Sequence, residues 1–366
     1  MKLNCSRAAL ENALGIITGV VTTRTPRETL KCAEFVAKGE EVTLAGTDLE
    51  VSVRCAISQV EVEQEGRVLL PAGKLSQIVH ELTDEAVGFE QTDETVHIRG
   101  QGSHFQIYGQ DPAEFPPIPG FEGEAEVLIA SGVLRRLIER TVFAAARENT
   151  RYAISGVLWE GSGKKLQLVA TDGRRLAKAV GSAKQAIKGG FSAIVPAKTM
   201  SLLLRVIQGD GSEQVALKVA GNQVVAQAGP VTVASVLVEG HFPKYDDVIP
   251  RDIEATVTFN TAELHGAIRR AALLTSDESK GIRADFSQGG LVLSSRTAKE
   301  GEATIDMKVA YDGSPMAIGF NPGFLTDALR VVEAEQVDLN LSGADKPGVL
   351  TAGKEFVYVV MPVSLS

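Results

Sequence analysis

Two carboxylates stand in matching contexts, Asp48 in Gly46-Thr-Asp-Leu-Glu50 and Asp172 in Ala170-Thr-Asp-Gly-Arg-Arg-Leu176. Brought together, a carboxylate pair would serve general acid–base chemistry. Each follows a threonine at the exit of an alternating strand pattern in equivalent repeats, however, and that context points to turn capping. The Gly161-Ser-Gly-Lys-Lys165 stretch has the glycine and lysine of a phosphate loop. It lacks the GxxxxGK[ST] spacing and lies between two strand patterns, so it reads as a hairpin turn. His80, His97, His104, His241 and His265 form no HxH, HExxH or Cys–His group, which argues against a metal site. No GxSxG nucleophile elbow occurs. Cys5, Cys32 and Cys55 have no CxxC spacing and an odd total, the pattern of buried reduced thiols. The residues thus predict neither catalysis nor a cofactor nor a metal, and an enzyme built on Asp48 and Asp172 stays only as an alternative class.

The elements that would position these residues repeat along the chain. Ser6-Arg-Ala-Ala-Leu10, Ser131-Gly-Val-Leu134 and Thr261-Ala-Glu-Leu264 each place a polar cap before apolar residues at helical spacing. A second family starts at Pro71, Pro196 and Asn321, each with a proline near the first turn, at a period of 125 residues. That period suits a domain rather than a solenoid unit. Each repeat runs strand, helix, several strands, helix, several strands, with alternating segments such as 41–53, 215–225 and 255–259. The expectation is an α+β chain of three similar domains, each with two helices against antiparallel sheet. The proline-rich stretches 111–120 and 240–250 are short stiff joints, which sets the domains at 1–121, 122–250 and 251–366. The hairpin that turns at Gly161–Lys165 is expected to span 151–176, with Arg151 and Tyr152 at its entry and a Gly173-Arg-Arg-Leu corner at its exit.

The 366 residues are 44% hydrophobic and 23% charged, an ordinary globular balance. No signal peptide, lipid anchor or membrane span is expected; the longest uncharged run, 219–238, alternates like strands. The net charge of −9 argues against general adhesion to nucleic acid, so any phosphate contact must come from locally confined cations. Such a confinement is visible on the helix slots. Arg135, Arg136 and Arg140 fall off the apolar stripe of the Ser131 helix, His265, Arg269 and Arg270 off that of the Thr261 helix, and Lys74, Lys198 and Arg205 come from the proline-started helices.

The Arg151-Tyr…Val169-Ala-Thr-Asp-Gly-Arg-Arg-Leu-Ala177 pattern resembles the central domain of the bacterial sliding clamps, the β subunit of the replicative DNA polymerase. The likeness extends from Gly46–Glu50 to the terminal Tyr358-Val-Val-Met-Pro362. Ser155 before the glycine and Arg174 in place of the usual histidine depart from it. The resemblance implies helices lining a ring, sheets forming its outer wall, and a head-to-tail homodimer of six domains that encircles double-stranded DNA without reading its sequence. It implies a non-catalytic, cytoplasmic processivity factor whose partners are the polymerase catalytic subunit, the clamp loader and other proteins with a clamp-binding motif. The matching DNA-facing positions are Arg24, Lys74, Arg147, Asn149, Arg151, Tyr152, Lys198 and Lys280, with Gly73 and Glu148 as departures. The matching ring seam is Phe105 with Ile107 and Leu273 with Leu274, residues that would equally suit a core. The partner pocket would comprise Ile154, Thr171, Gly173, Arg174, Arg175, Leu176, Pro243, Val248, Asn321, Phe324, Val359, Met361, Pro362, Val363 and Leu365, with Arg175 on its rim. Asp247 and Ser364 stand where the family has basic residues, which predicts a less positive rim and partner peptides poorer in acidic residues. The apolar terminus would alternatively dock into the third-domain core. A repeat-built interaction scaffold that never touches DNA is the remaining alternative.

Overall fold

The computed structural model describes residues 1–22, 24–147, 153–207, 211, 213–275, 281–297 and 299–364. Among the described residues six α-helices form where the repeats place them: α1 Arg7–Ile17, α2 Ala72–Glu81, α3 Ser131–Glu139, α4 Ala197–Val206, α5 Thr261–Ala271 and α6 Pro322–Arg330. Their starts follow from local chemistry. The Ser6 hydroxyl accepts the Ala9 amide, the Asn260 side-chain Oδ1 accepts the Glu263 amide, and the Asn321 side chain does the same for Gly323 ahead of Pro322. Leu10, Ala13, Leu14 and Ile17 make the buried stripe of α1, and Leu264, Ala267, Ile268 and Ala271 that of α5. The repeat-matched Leu10, Leu134 and Leu264 are all buried, each contributing about 2 kcal/mol through the area removed from water.

The chain divides into two compact units. The first comprises Met1–Arg135, Ala183–Lys188 and Lys198–Leu237. It holds a five-stranded antiparallel sheet in the order Val60–Gln64, Lys2–Ser6, Ala86–Thr92, Thr95–Gly100, Ser103–Tyr108. Its second sheet has eight strands, ordered Val127–Ala130, Gln214–Ala220, Gln223–Ala228, Val231–Val236, Val51–Ile57, Glu41–Thr47, Cys32–Lys38, Gly66–Pro71. Two sequence repeats meet in that sheet, where Val233 pairs with Val53 in antiparallel register. Along Val51–Ile57 every second residue is buried, the signature of a strand with one face on the core.

The second unit comprises Arg136–Ser182, Gly189–Ala197 and Val238–Ser366. Its six-stranded sheet runs Gly156–Thr171, Arg175–Pro196, Phe356–Val360, Gly348–Ala352, Gln336–Leu341, Ala255–Asn260. Again two repeats meet, Arg175 pairing with Val360 and Ala179 with Phe356. A four-stranded sheet, Gly301–Lys308, Gly290–Thr297, Ile282–Ser287, Met316–Phe320, completes the unit. The core contains Trp159, Phe286, Phe320, Phe356 and Tyr358, all fully buried.

One local expectation changes. Gly161–Lys165, expected as a turn between two strands, lies within the single extended run Gly156–Thr171. Gly163, at φ +57°, takes the left-handed conformation there, the backbone freedom that a turn needs and that glycine supplies. The break between extended runs falls at residues 172–174, at the corner expected to end the hairpin.

Candidate functional site

The corner at residues 171–175 is built from its own side chains. The Asp172 carboxylate accepts the amides of Arg174 and Arg175 at 2.9 and 3.1 Å. The Thr171 hydroxyl accepts the Gly173 amide at 3.1 Å and donates to the Arg175 carbonyl at 2.6 Å. Gly173 takes φ +86°, which a side chain would resist. The Thr47–Val51 turn repeats this arrangement bond for bond: Asp48 accepts from Glu50 and Val51, and Thr47 accepts from Leu49 and donates to Val51. Leu49 tolerates φ +79° in the place of the glycine. Both aspartates therefore cap turns, as their sequence context predicts.

Arg175 occupies the corner's interior, its side chain only 10% exposed. Its guanidinium donates to Asp172 at 3.0 Å, to Asp327 of α6 at 2.7 Å and to the Phe143 carbonyl at 2.8 Å. It also lies 4.5 Å from the Phe324 ring centroid, a cation–π contact. Burial acts to lower its pKa, but Asp327, then Tyr358 and Asp172, outweigh it and hold the pKa above the ordinary arginine value. Arg175 is thus a structural bolt as well as a residue of the cavity wall.

Beside this bolt opens a cavity of about 200 Å³. Nine of the expected pocket residues line it: Ile154, Thr171, Gly173, Arg175, Leu176, Pro243, Val248, Val359 and Met361. Ile154, Leu176 and Val359 belong to the buried cluster beneath it, while Met361 and Val248 are exposed large apolar side chains. The wall is overwhelmingly apolar, suited to apolar side chains of a guest. Lys244 and Tyr245 also line it, and the sequence reading missed both. The signal was present in His241-Phe-Pro-Lys-Tyr-Asp-Asp-Val248, where Pro243, Asp247 and Val248 are read toward the pocket and the two residues between Pro243 and Asp246 are not. Tyr245 anchors that segment: its hydroxyl donates to Glu160 at 2.6 Å and accepts from Gln167 at 2.7 Å. Burial, then the Glu160 carboxylate, push the phenol's pKa up. Lys178 adds an ion pair to Asp246 at 3.2 Å and lies 5.2 Å from the Tyr245 ring centroid.

Five expected pocket residues are described but do not line this cavity. Arg174 is exposed, and its carbonyl accepts the Met361 amide at 2.9 Å. Asn321 caps α6, and Phe324 lies against Arg175. Pro362 is half-buried, and the Val363 amide donates to Gly319, so the terminus is tied down there. Leu365 lies outside the described residues.

Of the expected DNA-facing residues, Arg24, Lys74, Arg147 and Lys198 are exposed. Lys74 reaches Gln77 at 3.3 Å, and Lys198 is ion-paired with the second oxygen of Asp48. Asn149, Arg151, Tyr152 and Lys280 lie outside the described residues. Arg135, Arg269 and Arg270 are exposed on their helices and Arg136 is half-buried. Arg140 corrects the sequence reading: it follows the end of α3 and is 12% exposed, paired with Glu355 at 3.8 Å and set against the Phe356 ring. His265 keeps a buried, unpartnered Nε2; burial and then the nearby Arg269 and Arg330 hold its pKa below 6.5. Phe105 and Ile107 are half-buried on Ser103–Tyr108, the edge strand of its sheet. Leu273 is 76% exposed and Leu274 half-buried, and Gly301–Lys308 is the edge strand of the four-stranded sheet.

Reactive groups are scarce. All three cysteines are buried free thiols, with burial pushing Cys5 and Cys32 up to about 11 and Cys55 up to about 12. Among the described residues no group of three or more His, Cys, Asp or Glu side chains is placed to hold a metal, and no helix is long and apolar enough to cross a membrane.

Three family models cover the chain: the DNA polymerase III beta subunit N-terminal domain over residues 1–119, its central domain over 128–244 and its C-terminal domain over 246–364. This chain belongs to that family. It is a sliding clamp of three clamp domains, a non-catalytic factor of DNA replication. It is 32% identical to the beta sliding clamp of Pseudomonas putida over the full length of both chains. The crystal structure of the Pseudomonas aeruginosa sliding clamp matches all of both chains with a TM-score of 0.92 at 31% identity. The Bacillus subtilis sliding clamp does so with a TM-score of 0.95 at 26% identity.

Proposed function

We propose that this clamp closes as a head-to-tail homodimer around duplex DNA in the cytoplasm. There it tethers the polymerase catalytic subunit, the clamp loader and other motif-bearing proteins through the cavity beside Arg175. The observation that carries the reading is that cavity: an apolar cleft of about 200 Å³ assembled from the central corner, the joint after it and the terminal strand. It suits a short peptide with apolar anchors, and Met361 gives its mouth an adaptable side chain. The matched stretches support domain limits of 1–121, 122–250 and 251–366.

Two open sheet edges support closure. Ser103–Tyr108 and Gly301–Lys308 each have a strand on one side only, and edge-to-edge pairing between copies would satisfy both. The exposed Arg24, Lys74 and Arg147 support loose, sequence-independent contact with phosphates. A net charge of −9 keeps such contact weak. Lys198, engaged by Asp48, would exchange that carboxylate for a phosphate.

The pocket reading is tested by titrating a fluorescent peptide from the polymerase's clamp-binding motif onto wild type and an Ile154→Ala, Met361→Ala double variant. Because a few buried anchors dominate such interfaces, the double variant loses measurable binding while remaining dimeric. Unchanged affinity would place the peptide elsewhere.

A further inference from the structure

The cavity wall contains two cations, Arg175 and Lys244. The first is committed: three of its nitrogens donate to Asp172, Asp327 and the Phe143 carbonyl. The second is exposed, and among the described residues its ammonium has no ion-pair or hydrogen-bond partner. Two neighbouring carboxylates differ in the same way. Asp246 is held by Lys178 at 3.2 Å, whereas Asp247 is exposed and likewise without a side-chain partner among the described residues.

Lys244 is also well placed to stay at the cavity. Pro243 restricts the backbone before it, and the turn after it, Tyr245–Val248, is fastened by the Tyr245 bonds to Glu160 and Gln167. Its Cα is therefore fixed at the wall while the four-carbon stem lets the ammonium search the mouth. An apolar guest that fills the cavity brings its flanking groups to that ammonium.

We propose that Lys244 is a specificity-determining residue of the pocket, its ammonium pairing with a carboxylate of the bound peptide. The clamp then prefers an apolar peptide bearing an acidic group, opposite to the preference that Asp247 and Ser364 suggest from sequence. Asp247 opposes the same carboxylate and limits the gain. The inference rests on the pocket reading above. The carboxylate comes from either an internal acidic side chain or a free C-terminus, and the test separates them.

The probes are fluorescein-labelled hexapeptides of leucine, phenylalanine and alanine: one with a central aspartate, one with asparagine there, each as free acid and as C-terminal amide. Anisotropy titrations use the full-length dimer as wild type, Lys244→Met, Lys244→Glu and Asp247→Asn. Wild type binds the acidic amide about threefold tighter than the asparagine amide, the size expected of one exposed ion pair. Lys244→Met abolishes that ratio, Lys244→Glu inverts it, and Asp247→Asn enlarges it. At about 1 M salt, where the screening length is about 3 Å, the ratio approaches one. A preference between free acid and amide in place of the aspartate preference, also lost in Lys244→Met, assigns the carboxylate to the peptide terminus. Equal affinity for all four peptides in wild type, or a preference that survives Lys244→Met, overturns the proposal while leaving the pocket standing. If no probe binds wild type, the pocket reading fails, and this inference with it.

Discussion

Arg175 ties three segments far apart in sequence to one point: Asp172 beside it, the carbonyl of Phe143, and Asp327, which lies 152 positions away. Removing its guanidinium leaves two carboxylates without their shared cation. Arg175→Ala is expected to cost about 3 kcal/mol by denaturant unfolding, the scale for breaking a buried pair on one side. Arg175→Lys recovers little of it, since one ammonium cannot serve three oxygens in the directions a planar fork does. The Asp48 and Asp172 turns were legible in the sequence because every bond in them spans four residues or fewer. The role of Arg175 was not, because its partner on α6 is brought there only by the tertiary fold. His265 supplies the pH test. Its folded pKa lies below the ordinary 6.5, so the unfolded chain binds more protons there and stability falls as pH drops below that value. Between about pH 7 and pH 5 the wild type should lose more stability than His265→Gln, read by thermal unfolding at each pH. Identical pH profiles would refute the assignment.

At the scale of elements, the six helices were readable because each combines a polar cap or proline with a buried stripe at helical spacing, and Leu10, Leu134 and Leu264 sit where that pattern places them. Sheet partners were not readable, since alternation fixes which face is buried and says nothing of the neighbouring strand. The pairing of Val51–Ile57 with Val231–Val236 unites Val53 with Val233, 180 positions away. Edge strands were equally hidden, and Phe105 and Ile107 could not be told from core residues until Ser103–Tyr108 proved to lie at a sheet margin. If that margin is the seam, Ile107→Lys combined with Leu273→Asp yields monomers at micromolar concentration by sedimentation, with the hexapeptide still bound. A variant that stays dimeric would move the seam. Cavity-lining Lys244 and Tyr245 went unseen for a related reason: the resemblance supplied Pro243 and Val248 from the same joint, but which of their neighbours face a wall depends on the turn the joint adopts.

At the scale of the whole molecule, the 125-residue period carried the α+β, three-domain reading, and the two sheets in which adjacent repeats pair show why no repeat stands as an isolated body. An acidic chain whose exposed cations include Arg24, Lys74 and Arg147 suits a device that holds DNA by enclosure. Direct contact then remains weak and salt-sensitive, because each phosphate engaged adds only about one unit to the salt slope. Enclosure and adhesion separate cleanly in one measurement: the protein is loaded by a clamp loader onto nicked circular DNA, passed through gel filtration in high salt, and compared before and after the circle is linearised. The account predicts that it stays with the circle and runs off the cut ends. Equal retention on circular and linear DNA, or release from both in high salt, would contradict it.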